Sequence, residues 1–323
     1  MRGPVIAIGV IALMILGFLF LSTPAPTIIV APETIFHIGA LAVTNTMFTS
    51  WIVVLFLCAV AIIAGRSVSL VPSGFSGLIE AIVAGFFGVV EGVVGEARAR
   101  QFFFLIATIF FYVITSNYFG LLPGNQFIGK PEVGHGSPPV ELRSGSLAGI
   151  DVLYVPLNPG TAETHAAGDT HAAPATEGKQ YGILAPFLRS VNTDVNTPLA
   201  IAIFSFIFVE LWGFQALGPG YLKKFFNFSS PINIFVGLLE LVSEFSRLIS
   251  FTFRLFGNVF AGEVLLTMMG FLVPLVLIDV FYGLELFVGA IQAFVFAMLT
   301  LVFAQSAVAH HGDDHEEGHE AAH

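Results

Sequence analysis

The chain has 323 residues, of which 56% are hydrophobic and 11% are charged, and its formal net charge is −10. Soluble globular domains carry roughly 45–50% apolar and about 25% charged residues, so the composition excludes an ordinary soluble protein and indicates a membrane protein. The acidic balance argues against nucleic acid as a partner. The single cysteine, Cys58, excludes an internal disulfide and is interpreted as a packing residue.

The first hydrophobic stretch comprises residues 5–21 and follows Arg2. Both a cleaved signal peptide and a retained anchor begin with a basic residue and an apolar run, so residues 1–25 fit either. The residues that follow lack a small-x-small cleavage pattern and contain Pro24 and Pro26, which favours the anchor.

Three further segments have the roughly 20 apolar residues that a membrane helix needs, namely 46–64, 102–122 and 198–216. The segment 75–96 differs from them because Glu80, Glu91 and Glu96 interrupt its Gly-rich apolar pattern. This pattern predicts an amphipathic helix near the membrane surface.

The last two hydrophobic segments, 232–271 and 275–309, are unusually long. As one helix the first would measure about 60 Å at 1.5 Å per residue, about twice the apolar thickness of a bilayer. We expect it to be steeply tilted or broken near Gly257 or Gly262. The sequence therefore predicts an all-α integral membrane protein with five transmembrane helices, an amphipathic surface helix and a possible extra N-terminal helix.

Residues 124–190 are rich in Gly, Pro, His, Thr and charge, which predicts a long extramembrane loop. Within it, 152–155 is a possible short strand and 158–180 has low complexity. The acidic, His-rich tail 310–323 is interpreted as solvated, with metal binding by its histidines as the alternative.

These features divide the chain into segments 1–25, 26–123, 124–190, 191–309 and 310–323. Basic residues in short connections predict the cytoplasmic side, and here they are Arg66, Arg98, Arg100, Lys223 and Lys224. If the spans alternate, the C-terminal tail is cytoplasmic and the long loop faces outward.

Ionisable side chains inside membrane spans are expensive and usually functional. The two long segments hold most of them, together with amides: Glu240, Glu244, Arg247, Arg254, Asn258, Glu263, Asp279, Glu285 and Gln292. At about 100° per residue, one polar stripe is formed by Glu240, Arg247, Ser250, Arg254 and Asn258. Glu263 points away from Arg254 if the helix is unbroken.

A structural explanation is available for some of these charges. Arg247 and Glu244 can pair with each other, and Asp279 is expected at the turn between the long helices. Arg254 is flanked by bulky apolar residues, which favours a functional role. An arginine keeps its proton and so suits a fixed cation between two polar routes that relay protons.

Residues 250–263, SFTFRLFGNVFAGE, resemble the motif of subunit a of the rotary ATP synthase membrane sector. Five shorter stretches are also similar to that family: IQAFVF at 291–296, TDVNTP at 193–198, SNYFGLLP at 116–123, FHIG at 36–39 and TNTM at 44–47. The resemblance covers about residues 33–308 except the long loop. That loop, the N-terminal stretch and the His-rich tail depart from the family pattern.

The resemblance implies roles for single residues. Arg254 matches the essential arginine that faces the carboxylate of the rotating c-ring. Positions of the outer half-channel are matched by Asn117, Asn258, Glu263 and Gln292, and positions of the cytoplasmic half-channel by Glu240 and Ser250. Glu285 stands where some members have histidine, which makes it a plausible partner of Glu263.

The resemblance also implies the fold and the partners. The last two helices would form a tilted hairpin against the c-ring, and the peripheral-stalk b subunits and bilayer lipid would complete the surroundings. A multi-pass location in the bacterial inner membrane follows. The motif GxxxxGK[ST] is absent, so ATP chemistry would belong to other subunits, and no cofactor or metal is implied.

Two other classes of protein were weighed. A secondary transporter often shows internal repeats, but none is convincing here, and the polar groups lie mainly in the last 90 or so residues. A membrane enzyme is disfavoured because the GxSxG motif of serine hydrolases does not occur. Copurification with a ring of small helical hairpin subunits would separate the stator from both.

Overall fold

The structure is a computed structural model that describes residues 2–20, 28, 30–66, 74–122, 125, 128–132, 140–147, 150–155, 180–226, 229–273 and 275–309. Its helices are α1 (Arg2–Phe20), α2 (Asn45–Arg66), α3 (Gly74–Val94), α4 (Glu96–Gly120), α5 (Asn196–Leu217), α6 (Pro231–Leu272) and α7 (Val276–Ala309). Six of them, α2 to α7, are long and apolar enough to cross a membrane. The prediction of an all-α, multi-pass integral membrane protein is therefore confirmed.

Several expectations stay predictions. The helix α1 forms over the predicted N-terminal stretch, but helix formation does not distinguish an anchor from a signal peptide. The surface location of the amphipathic helix, now α3, also stays a prediction, because α3 has the length and apolar composition of a span. The tail 310–323 and nearly all of the low-complexity stretch 158–180 lie outside the described residues.

A single glycine separates α3 from α4. Gly95 has a φ of +78°, a backbone conformation that favours glycine and ends a helix. The next helix begins at once with Glu96, whose carboxylate pairs with Arg100 at 2.7 Å. Arg98 and Arg100 therefore belong to the first turns of α4, and the span predicted from residue 102 begins six residues earlier.

The helix α6 is continuous over 42 residues, about 63 Å at 1.5 Å per residue. Gly257 and Gly262 lie inside it and do not break it, which answers one of the two alternatives left by the sequence. Pro231 occupies the first helical position, where its missing N–H costs no hydrogen bond. Asp279 lies in the first turn of α7, where a carboxylate complements the helix dipole.

The chain forms two compact units. Unit 1 contains Met1–Val53, Thr115–Asp194 and Gly257–Ala290, and unit 2 contains Val54–Ile114, Val195–Phe256 and Ile291–His323. The boundaries fall within α2, α4, α6 and α7.

Unit 1 contains all the strands that the structure describes. A hairpin is formed by β1 (Thr34–Ile38) and β2 (Leu41–Thr44). A closed antiparallel barrel in the order β3-β5-β4-β6 is formed by β3 (Ile128–Glu132), β4 (Val140–Leu147), β5 (Ile150–Tyr154) and β6 (Gln180–Pro186). The strand predicted at 152–155 is confirmed as part of β5, whereas the other strands were not predicted.

Unit 2 is packed by aromatic side chains. Phe86 of α3 stacks on Phe110 of α4, with ring centroids 4.3 Å apart. Phe102 of α4 contacts Trp212 of α5 at 4.5 Å. Offset and tilted ring pairs of this kind contribute roughly 0.5–1.5 kcal/mol beyond their buried area, so they fix the helix neighbours without polar groups.

Candidate functional site

The polar stripe of α6 ends on an exposed face of the helix. Ser250, Arg254 and Asn258, spaced by four residues, are all exposed, while Glu240 and Arg247 are partly exposed. Phe251, which projects about 60° around the helix from Arg254, is buried, and its ring packs on Phe296 of α7 at 4.8 Å. This side of α6 therefore faces α7, and the exposed residues of the stripe lie next to it.

Arg254 has little compensation for its charge. Its Nη2 donates to Oγ of Ser250 at 3.4 Å, and its guanidinium carbon lies 5.8 Å from the centre of the Phe251 ring. No carboxylate among the described residues pairs with it. A cation in the middle of a membrane helix thus keeps its charge without an acidic partner from within the described chain.

Arg247, two turns earlier on α6, is in the opposite situation. Its Nη1 donates to Oε1 of the buried Glu244 at 2.8 Å. Its guanidinium carbon also lies 4.7 Å from the centre of the Phe303 ring. The structural pairing expected for Arg247 and Glu244 is therefore present.

Glu263 is paired with a residue to which the sequence assigned no role. The Nε of Arg189 donates to both carboxylate oxygens of Glu263, at 3.2 and 3.4 Å. Arg189 lies between β6 and a short 3-10 turn, Val191–Thr193, that precedes α5. The exposed fractions of the two side chains are 6% and 20%, so the pair is largely shielded from solvent.

Glu285 of α7 lies against the backbone of α6. Its carboxylate occupies the space beside Gly262 where any side chain would extend, and only 9% of the residue is exposed. Glu285 makes no hydrogen bond to another described residue. The carboxylate of Glu285 therefore lies next to Gly262, the residue that precedes Glu263. The two acidic residues that were predicted to act together are thus on neighbouring parts of α6 and α7.

Asn117 joins two other segments of unit 1. Its Nδ2 donates to the carbonyl oxygen of Gly289 at 3.0 Å, and its Oδ1 accepts a hydrogen bond from Nδ2 of Asn192 at 2.8 Å. Gly289 permits this contact because a Cβ there would lie 3.3 Å from the Cβ of Asn117. The predicted site residue is thus held by α7 and by the 3-10 turn.

Buried oxygens without protein partners lie near Asn117, on α4 and in the segment of the 3-10 turn. They are Oγ of Ser116, Oγ of Ser190 and Oδ1 of Asn192, none of which has a hydrogen-bond partner among the described residues. Buried polar atoms are rarely left unsatisfied by both protein and water. These positions are therefore suited to internal water.

A second polar group surrounds Arg189, and we call it the Arg189 cluster; its members are Glu33, Asn45, Thr46, Thr49, Arg189, Asp194 and Glu263. In this cluster Asn45 donates to Glu33 at 3.2 Å, and Thr46 donates to Asp194 at 3.2 Å. These contacts bring the start of α2 against the segment that leads into α5.

The two remaining predicted residues are placed on unit 2. Gln292 lies on α7 and is 5% exposed, and Glu240 lies on α6 and is partly exposed. Each makes a further interaction, so neither is isolated.

Arg189 and Asn192 were missed as site residues by sequence reasoning. One signal was available: Arg189 is a basic residue next to the polar run SVNTD, immediately before a membrane helix. A search for a cation to balance Glu263 would have identified it.

Comparisons with known proteins agree with these observations. A sequence profile of the family described as ATP synthase A chain matches residues 47–305. The protein named ATP synthase subunit a from Moorella thermoacetica is 25% identical over 286 residues, 87% of this chain and 99% of the relative. The protein of the same name from Gloeobacter violaceus is 29% identical over 280 residues, 86% of this chain and 90% of that relative. The chain therefore belongs to the ATP synthase A chain family, as a non-catalytic, proton-translocating subunit of the membrane sector.

Proposed function

We propose that the chain supplies two offset half-channels for protons and that Arg254 separates them while facing the carboxylate of the rotating c-ring. One observation carries the proposal: Arg254 is exposed on α6 and has no acidic partner among the described residues. An uncompensated charge in the hydrocarbon costs roughly 2.5–3.5 kcal/mol or more. A carboxylate from a neighbouring subunit would supply the missing partner.

The mechanism follows from electrostatics. A ring carboxylate crosses lipid in its neutral, protonated form, because a bare charge there is expensive. Beside Arg254 the ionised form is favoured, so the proton leaves to one half-channel, and the carboxylate takes another proton from the second half-channel before it re-enters lipid. Arg254 keeps its own proton and interrupts a continuous proton path, so protons cross only as the ring turns.

We assign the predicted polar residues to two half-channels. The outer half-channel would contain Asn117, Asn258, Glu263, Glu285 and Gln292, and the cytoplasmic one Glu240 and Ser250. The unpartnered buried oxygens near Asn117 support a hydrated outer route.

The chain would work within a larger assembly in a bacterial inner membrane. Peripheral-stalk b subunits would hold it against the c-ring, and its C-terminus would be cytoplasmic. The distribution of basic residues in short connections supports this orientation. Each proton moved through 100 mV provides about 2.3 kcal/mol, so several protons must drive each ATP.

The test is Arg254→Ala in membrane vesicles that carry the whole complex. We expect ATP-driven proton pumping to be lost while the assembled membrane sector leaks protons, because the charge that separates the half-channels is gone. Arg100→Ala is the matched control, since Arg100 is an exposed arginine with an acidic partner. Pumping at the wild-type level in the Arg254 variant would show that this arginine is structural.

A further inference from the structure

Arg189 connects separate segments of unit 1 through its side chain and its backbone amide. Besides the bonds to Glu263, its Nη1 donates to the carbonyl oxygen of Ala31 at 3.1 Å. Its backbone N–H donates to Oγ1 of Thr49 at 3.2 Å. The guanidinium is therefore held from several directions, and its position relative to Glu263 is fixed by the segment before β1 and by α2.

The charge balance around this side chain is acidic. The Arg189 cluster contains three carboxylates, those of Glu33, Asp194 and Glu263, and one guanidinium. Glu33 and Asp194 each accept a hydrogen bond from a neutral side chain of the cluster, and Glu263 accepts bonds from the cation. Loss of the cation would leave Glu263 in a shielded, acidic environment.

The bond geometry is compatible with proton transfer at Glu263. A single N–H group of Arg189 is shared by both carboxylate oxygens, and each oxygen has a further lone pair that can accept a proton. The Glu263 side chain also remains 20% exposed. The ion pair therefore fixes the carboxylate without enclosing it.

We infer that Arg189 is a positioning residue for proton transfer in the outer half-channel, because its ion pair holds the Glu263 carboxylate in place between successive protons. This inference rests on the proposed function, in which Glu263 carries protons. When a proton binds to Glu263, the carboxylate becomes neutral and the ion pair is lost. When the proton leaves, the pair forms again and returns Glu263 to its resting state.

The experiment measures passive proton flux through the membrane sector of the full complex, in vesicles stripped of the catalytic sector. The variants are Arg189→Gln, Arg189→Lys, Glu263→Gln and the double variant Arg189→Gln with Glu263→Gln. Arg143→Gln is the control, because Arg143 is an exposed arginine of the extramembrane strand β4. Complex assembly is measured in parallel from the c-ring that copurifies with the chain.

We expect Arg189→Gln to lower the flux about tenfold, which corresponds to about 1.4 kcal/mol, with assembly retained. Arg189→Lys should restore part of the flux, because it keeps the charge but not the planar fork. In the Glu263→Gln background the second substitution should add nothing, since Arg189 acts through Glu263. Arg143→Gln should leave the flux unchanged.

Three results would overturn the inference: wild-type flux in Arg189→Gln, no gain from lysine in an intact complex, or a further fall in the double variant. If Arg189→Gln alone fails to assemble, the neutral double variant is decisive, and its flux must equal that of Glu263→Gln. ATP-driven pumping by the Arg254→Ala variant is measured separately, in vesicles that keep the catalytic sector. Normal pumping in that variant overturns the proposed function, whereas normal flux in Arg189→Gln overturns only this inference.

Discussion

Arg189 and Arg254 have the same side chain and opposite surroundings. Arg189 is 6% exposed and bonds to a carboxylate, a carbonyl oxygen and, through its amide, a hydroxyl of its own chain. Arg254 is exposed and has one long hydrogen bond, to a serine four residues earlier. The polar residues around Arg189 thus have their partners within unit 1, and we call this polar part of unit 1, which includes Glu285 and Asn117, the closed region. Arg254 is accessible to a partner from another molecule.

This difference separates two kinds of polar group in a membrane protein. A group that is satisfied within the chain contributes to stability and to function together, because its removal leaves buried partners unpaired. A polar group without a partner in its own chain can contribute to function through another molecule. Its removal leaves no buried partner unpaired, so it should cost the isolated chain little stability. Variants that remove a polar partner from the closed region should therefore change both stability and flux, and variants around Arg254 should change flux alone.

The largest effect is expected when Arg254 is given a partner of its own. Ser250→Glu would place a carboxylate one turn before Arg254, at a position whose side chain already reaches it, in the favourable order of an i,i+4 pair. The internal pair would neutralise the cation, so we expect ATP-driven pumping to fall as far as in Arg254→Ala while the complex still assembles.

Ser246→Glu is the control for Ser250→Glu. Ser246 is exposed on the same helix but lies two turns from Arg254, beyond the reach of such a pair. We expect it to pump better than Ser250→Glu. Equal loss in both variants would mean that any new carboxylate on this face blocks the ring, and that neutralisation of Arg254 is not the cause.

An intermediate effect is expected at Gly262, in the closed region. Alanine is normally better than glycine in a helix by roughly 1 kcal/mol, but a Cβ at this position would meet the Glu285 carboxylate. The carboxylate is the end of a flexible side chain and can turn aside, so Gly262→Ala should displace it and lower the passive proton flux, with little loss of the thermal midpoint of the complex.

Gly283→Ala provides the matched comparison for Gly262→Ala. Gly283 is an exposed helical glycine of α7, and a Cβ there would meet nothing within 4 Å. Its substitution should be neutral or slightly stabilising. If the two alanine variants give the same proton flux, the placement of the Glu285 carboxylate beside Gly262 has no role in proton transfer.

The contrast between the two arginines also explains what the sequence could predict. The helices and the polar stripe with Arg254 follow from periodicity along one segment, and Arg254 needs no partner in the chain to be recognised. The pair of Arg189 and Glu263 joins residues 74 positions apart, and the barrel needs β6 to pair with β3 across the whole loop. Such contacts depend on tertiary structure, which local patterns do not contain.

The continuity of α6 is a second feature that local sequence patterns could not predict. Gly257 and Gly262 are poor helix formers, which made a break plausible from sequence. In the structure the Glu285 carboxylate occupies the space that a side chain at position 262 would take. The glycine therefore serves packing against α7, and its meaning depends on a residue 23 positions away.

The smallest effect is expected for Asn117, whose amide bonds lie within the closed region. Asn117→Leu would leave the Asn192 amide without its partner and would remove the second hydrogen bond of the Gly289 carbonyl, at a cost of about 1–3 kcal/mol. We expect a lower thermal midpoint of the purified complex. The midpoint should partly return when Asn192→Leu is added, because replacing both partners with apolar groups removes the unpaired amide.

The control is Asn233→Leu, where the hydrogen bond to Ser229 is exposed, and it should shift the midpoint much less. A shift in Asn117→Leu no larger than in this control would mean that the polar contacts at Asn117 do not stabilise the chain, and the closed region would then be confined to the Arg189 cluster.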